Sequence, residues 1–113
     1  MTPELTRILT QLREELSRAL PDNLQQVTLY GSYARGDARV DSDVDLLVVL
    51  RQANEADREA VHQIAYQLMW DTDFQHVLAL NIIDLNHYRL LKDERSSYFK
   101  NIEHEGKLLW PAT

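Results

Sequence analysis

Apolar residues at Leu5, Ile8, Leu9, Leu12, Leu16 and Ala19 recur at three- and four-residue steps, the spacing of one face of a helix. Thr2 stands where an N-cap belongs, Pro3 where a first helical residue can lack its N–H, and Pro21 ends the run. Two β-branched and apolar runs follow, Val27-Thr28-Leu29-Tyr30 and Val44 to Leu50, and both read as strands. Asn54, with Asp57 at the third helical position, predicts a second amphipathic helix carrying Ala60, Val61, Ile64, Ala65 and Leu68 and ending near Trp70 and Asp71. Val77 to Ile83 is a third strand whose one polar residue is Asn81. Helices are expected around Leu85 to Leu91 and from Ser97 to Glu105, with Gly106 as a C-terminal cap and Lys107 to Trp110 as an edge strand. The order of elements predicts an α/β (α+β) domain, a small mixed sheet packed with helices.

No repeat or Pro/Gly-rich linker divides the chain, so residues 1–113 read as a single domain, too short to include a second substrate-binding domain. Hydrophobic residues at 44% and charged residues at 27% are the balance of a globular chain. The net charge of −6 disfavours direct nucleic-acid binding, because a phosphate backbone is drawn to a positive field. The absence of cysteine removes disulfides, thiolate metal sites and cysteine nucleophiles, and fits a cytoplasmic location. An acidic start and the lack of an apolar run of roughly 20 residues give no sign of export or membrane insertion.

The chemistry concentrates in two segments. In Leu29-Tyr30-Gly31-Ser32-Tyr33-Ala34-Arg35-Gly36 a strand runs into Gly-Ser and a polar turn. A glycine without Cβ lets a phosphate approach the backbone, and the Ser32 hydroxyl and nearby N–H groups can donate to its oxygens. Alone, this is an ordinary tight turn. In Asp41-Ser42-Asp43-Val44-Asp45, residues two apart share a face of the strand, so Asp43 and Asp45 present their carboxylates together. Such a pair repels unless a cation sits between, and hard carboxylate oxygens suit Mg²⁺. An isolated Asp-x-Asp is most often a solvated strand entrance. Here it opens a hydrophobic strand and follows a Gly-Ser turn by ten residues, and the metal reading outweighs the bland one.

The constellation of Gly31, Ser32, Asp43 and Asp45, with Arg35-Gly36 as its continuation, resembles the nucleotidyltransferase superfamily related to DNA polymerase β. In short size and in the tail Ser97 to Gly106 the chain is similar to the minimal nucleotidyltransferase (MNT) antitoxin type. The resemblance implies a polymerase-β-like fold and ATP-dependent transfer of AMP. It implies Mg²⁺, two ions, held by Asp43, Asp45 and a third carboxylate from a neighbouring strand, with Gly31 and Ser32 holding phosphates. Arg35 either neutralises triphosphate charge or forms a surface ion pair.

The third strand offers Asn81 and, three residues on, Asp84 as candidates for the missing metal ligand. Asn81 can coordinate but adds no charge. Asp84 has the charge but an odd offset, hence the opposite face of a regular strand, and reads as the N-cap of the following helix. A second acidic pair, Asp71-Thr72-Asp73, reads as a polar loop, and His62, His76, His87 and His104 show no zinc spacing. Tyr98, Phe99 and Ile102 read as the packing face of the last helix, and Trp70 and Trp110 as core or interface residues.

The function implied first is that of a protein adenylyltransferase serving as the antitoxin of a toxin–antitoxin pair. It would transfer AMP to a tyrosine of a HEPN-type ribonuclease toxin with which it forms a hetero-oligomer. Two alternatives stand beside it: an impaired antitoxin that neutralises its partner by binding alone, and a small-molecule adenylyltransferase, which would need an acceptor pocket.

Overall fold

The computed structural model describes residues 1–111, and the last two residues of the expected domain lie outside the described residues. The elements are α1 (Pro3–Ala19), β1 (Leu24–Tyr30), α2 (Ser32–Arg35), β2 (Val44–Leu50), α3 (Glu55–Asp71), β3 (Leu78–Asp84), α4 (Leu85–Asp93), α5 (Ser97–Glu105) and β4 (Lys107–Trp110). No helix among the described residues is long and apolar enough to cross a membrane.

Both long helices start as their capping residues dictate. The Thr2 hydroxyl accepts from the Leu5 N–H at 3.2 Å, and the Asn54 side-chain oxygen accepts from the Asp57 N–H at 2.8 Å. Of the expected face of α1, Leu5, Ile8, Leu9, Leu12 and Leu16 are buried. Ala19 is exposed instead, because Leu20, four residues beyond Leu16, continues the stripe into the core. Of the two readings of Trp70, core or interface, the structure excludes the core. Trp70 is 56% exposed at the end of α3, set edge-on against Tyr66 and Phe74, while Trp110 packs partly buried against the core.

The sheet has the order β3-β2-β1-β4. β1 pairs antiparallel with β2 and β4, and β2 pairs parallel with β3, the crossover between them being α3. As an inner strand β2 is covered on both faces, which is why its sequence is nearly all apolar. Val44, Leu46, Val48 and Leu50 face the core shared with α1 and α3. Leu47 and Val49 face a smaller cluster with Ile83 and Ile102, covered by residues of α4 and α5. By strand alternation Asp45 belongs to this second face, at its open end.

Candidate active site

β1 ends at Gly31, whose φ of 77° and ψ of −156° lie in a region that glycine alone occupies freely. The position has a second reason to be glycine, since a Cβ there would run into the Asp45 carboxylate. Ser32 opens α2, a single turn closed by Gly36 at φ 86°, whose N–H bonds the Ser32 carbonyl at 2.9 Å. The first N–H groups of so short a turn have no intrahelical acceptors.

The antiparallel register sets Tyr30 opposite Asp45 and so brings the Gly31-Ser32 turn beside the head of β2. Asp43 is exposed just before the strand, and Asp45 is half-buried as its second residue. Burial pushes the Asp45 carboxyl above its ordinary range, the Asp43 charge adds to this, and Arg35 pulls against it. The Asp43 charge therefore weighs on Asp45, whose ionised form is more stable with a cation present than without one.

Arg35 donates from Nη1 to Glu105 at 3.2 Å and from Nε to Asp37 at 3.3 Å, so the ion-pair reading of this residue is the one the structure displays. Its charge still reaches Asp45.

Asn81 pairs with Leu47 and shares a face with Asp45, whose own partner on β3 is Ala79. The Asn81 side-chain N–H donates to the Tyr98 hydroxyl, and Tyr98 donates to the Tyr30 hydroxyl at 3.1 Å. The two rings meet edge-on with centroids 5.7 Å apart. Burial first, and then Tyr98 and Asp45, push the Tyr30 phenol well above its usual range, so it stays protonated.

Asp84 is elsewhere. It pairs with Leu50, five rungs along β2 from Asp45, a separation of roughly 16 Å at the usual strand rise. Its carboxylate accepts from the His87 N–H at 2.7 Å and caps α4. The structure thus brings together Gly31, Ser32, Arg35, Asp43 and Asp45, places Asn81 on the same face, and leaves Asp84 at the far end. Among the described residues no group of three or more His, Cys, Asp or Glu is placed to hold a metal.

Three residues of this neighbourhood escape sequence reasoning as site components. Tyr30 has a signal, a phenol immediately before Gly31 on the face of Asp45. Tyr98 reads from the sequence only as a packing residue. Glu105 lies 70 positions from Arg35, and nothing in the pattern links them.

The chain is similar to known proteins in sequence and in fold. The nucleotidyltransferase domain family matches residues 9–108. A Methanocaldococcus jannaschii protein named "Putative protein adenylyltransferase" is 35% identical over 71 residues, 60% of this chain and 72% of that protein. Among solved structures, a toxin–antitoxin with AMP-PNP superposes with a TM-score of 0.55 at 22% identity, covering 92% of this chain and 74% of that one. A chain of the Shewanella oneidensis complex of tri-AMPylated HEPN toxin with MNT antitoxin gives 0.50 at 20% identity, covering 94% and 72%. At such identities the structures establish the nucleotidyltransferase fold. With the family match spanning most of its length, the chain belongs to the nucleotidyltransferase domain family.

Proposed function

We propose that residues 1–113 form one minimal Mg²⁺-dependent adenylyltransferase domain. In the cytoplasm it transfers AMP from ATP to a tyrosine of a HEPN-type toxin and so acts as the antitoxin of the pair. The observation that carries this reading is the pairing of Asp43 and Asp45 against a glycine whose missing Cβ makes room for the Asp45 carboxylate. The donor set fits Mg²⁺: hard oxygens, two negative charges, and a half-buried carboxyl that burial and the Asp43 charge hold above its ordinary range. Bound there, Mg²⁺ would neutralise triphosphate charge and stabilise the departing pyrophosphate.

The chain's own residues supply the rest. Gly31 lets the backbone approach a phosphate, and the Ser32 hydroxyl and the unpaired N–H groups of α2 donate to its oxygens. Arg35, exchanging Glu105 for the nucleotide, adds a positive charge. In the transfer the acceptor phenol oxygen bonds to the α-phosphorus, the bond from that phosphorus to pyrophosphate breaks, and the phenol proton is released. The adenylyltransferase name of the archaeal relative supports the reaction. The AMP-PNP complex supports the nucleotide, and the AMPylated HEPN toxin supports the partner.

The test is to incubate the chain with its partner toxin, labelled ATP and Mg²⁺. Label should appear on a toxin tyrosine, and Asp43→Asn should reduce it by at least about a hundredfold, the scale of several kcal/mol of lost charge stabilisation. An unlabelled toxin that is nevertheless neutralised, equally well by the Asp43→Asn, Asp45→Asn double variant, would favour inhibition by contact alone. The observation behind that second reading is that β3 brings Ala79 and Asn81, and no carboxylate, to the face of Asp45.

A further inference from the structure

We infer that this site holds one divalent cation per chain, on Asp43 and Asp45, and that the hydrogen-bonded chain Asn81–Tyr98–Tyr30 fills the ground where a further protein ligand would stand. The inference rests on the reading of Asp43 and Asp45 as the Mg²⁺ ligands and deepens it.

A second ion would need anionic donors beyond the two negative charges that Asp43 and Asp45 carry between them. The sheet surface around Asp45 can be enumerated from the register. On the β1 side its partner is Tyr30, and on the β3 side Ala79. Ala79 ends in a methyl group and has nothing to donate. Tyr30 could serve as an anionic ligand only as a phenolate, and its oxygen is already engaged as the acceptor of the Tyr98 hydrogen bond at 3.1 Å.

The next residue of β3 on this face is Asn81, whose N–H is committed to Tyr98 and whose remaining oxygen carries no charge. Asp84 is engaged at the far end of the strand. Glu105, the acidic residue that α5 brings nearest to the turn, is paired with Arg35. Two carboxylates with water and phosphate oxygens would serve one Mg²⁺, and among the described residues the sheet face around Asp45 offers no further carboxylate for a second.

The neutral chain also explains why Asn81 is not aspartate. A carboxylate at that position would accept from Tyr98 rather than donate to it, reversing the direction of both hydrogen bonds, and would add a third negative charge near Asp43 and Asp45.

The experiment is a count. Mn²⁺, used as a paramagnetic substitute, is titrated into the whole chain under equilibrium dialysis with a non-hydrolysable ATP analogue saturating on both sides, and bound ions are measured as the excess of total Mn²⁺ on the protein side, read by EPR after acid release. One Mn²⁺ per chain is expected, and two would overturn the inference while leaving the nucleotidyltransferase reading intact. No bound Mn²⁺ at all would overturn both.

The same titration on variants locates the ligands. Asp45→Asn should weaken Mn²⁺ binding by more than about tenfold, since even the loss of an outer partner of a metal ligand costs that much. Asn81→Ala should leave it within about twofold. A tenfold loss in Asn81→Ala, with a native circular dichroism spectrum, would make Asn81 a ligand and defeat the proposal. Should that variant not fold, the count on the unmodified chain decides alone.

Discussion

Gly31 and Asp45 are two residues with one steric interest. The backbone at Gly31 sits where a side chain is strained, and the space a Cβ would take is occupied by the carboxylate. Gly31→Ala should therefore cost about 1–3 kcal/mol from the backbone alone, seen as a lowered Tm. It should also push Asp45 aside, so that nucleotide affinity measured well below Tm falls. A variant that lost stability but bound ATP normally would separate the turn from the site.

Asp45 supports a second prediction, through pH. Its folded-state pKa is raised, so between the ordinary carboxyl range and that raised value the folded chain holds more protons than the unfolded one. Stability then falls as pH rises through that window, and the penalty is complete above it. Without divalent cation, Asp45→Asn should thus be more stable than the parent at pH 7, by on the order of 2 °C for a few tenths of a kcal/mol in a domain of this length. The gain should vanish at a pH below the ordinary carboxyl range, where the parent Asp45 is protonated in both states. Thermal melts at the two pH values in chelator check it. A variant less stable than the parent at pH 7 would mean that Asp45 makes compensating contacts.

At the scale of elements, β3 shows how far a sequence pattern can reach. Its polar residues Asn81 and Asp84 are separated by an odd offset, which already assigns them to opposite faces, and the N-cap role of Asp84 follows from its place before the helical run. Asp84→Ala should cost about 1 kcal/mol, typical of a lost cap, and lower Tm by about 4–8 °C. Mn²⁺ and nucleotide binding should not change, and a parallel loss of binding would return Asp84 to the site. α1, β2, α3, α5 and β4 are similarly legible, because each has a clear period and a terminator.

What could not be read depends on partners distant in sequence. β1 begins at Leu24, before the visible run at Val27, because Leu24 and Gln26 pair with Leu50 and Val49 of β2 across a register shift at Gln25, in spite of the polarity of the two glutamines. α2 is one turn and too short to display a helical period. Trp70 carries no mark of exposure in its own composition, and the tie from Asn81 through Tyr98 to Tyr30 joins three elements that no local pattern relates. The acidic pair and the Gly-Ser turn were visible. The neutral network beside them was not.

At the scale of the molecule, the sheet divides the chain into a face that mainly stabilises and a face that also positions the site. Beneath α1 and α3 lies the larger apolar core, with Leu12 and Leu16 fully buried in it. Beneath α4 and α5 lies the smaller cluster, where Leu47 sits on the face of Asp45 and is the register partner of Asn81. Leu12→Ala and Leu47→Ala remove the same atoms from equally buried surroundings, and each should cost about 2–5 kcal/mol. That is a large part of the roughly 5–15 kcal/mol that holds a domain together, so both variants should melt at visibly lower temperature. Their effects on the site should differ. Far enough below its Tm to be fully folded, Leu12→Ala should bind ATP as the parent does, because the sheet stands between the cavity and the carboxylates. Leu47→Ala leaves its cavity on the face that Asn81 and Asp45 share, so α4 and α5 can settle toward the sheet and disturb the packing beside Asp45. Its ATP affinity should fall along with its stability. Equal affinity in the two variants would show that the faces are not divided in this way, and that the site is held by the turn at Gly31 and the head of β2 alone.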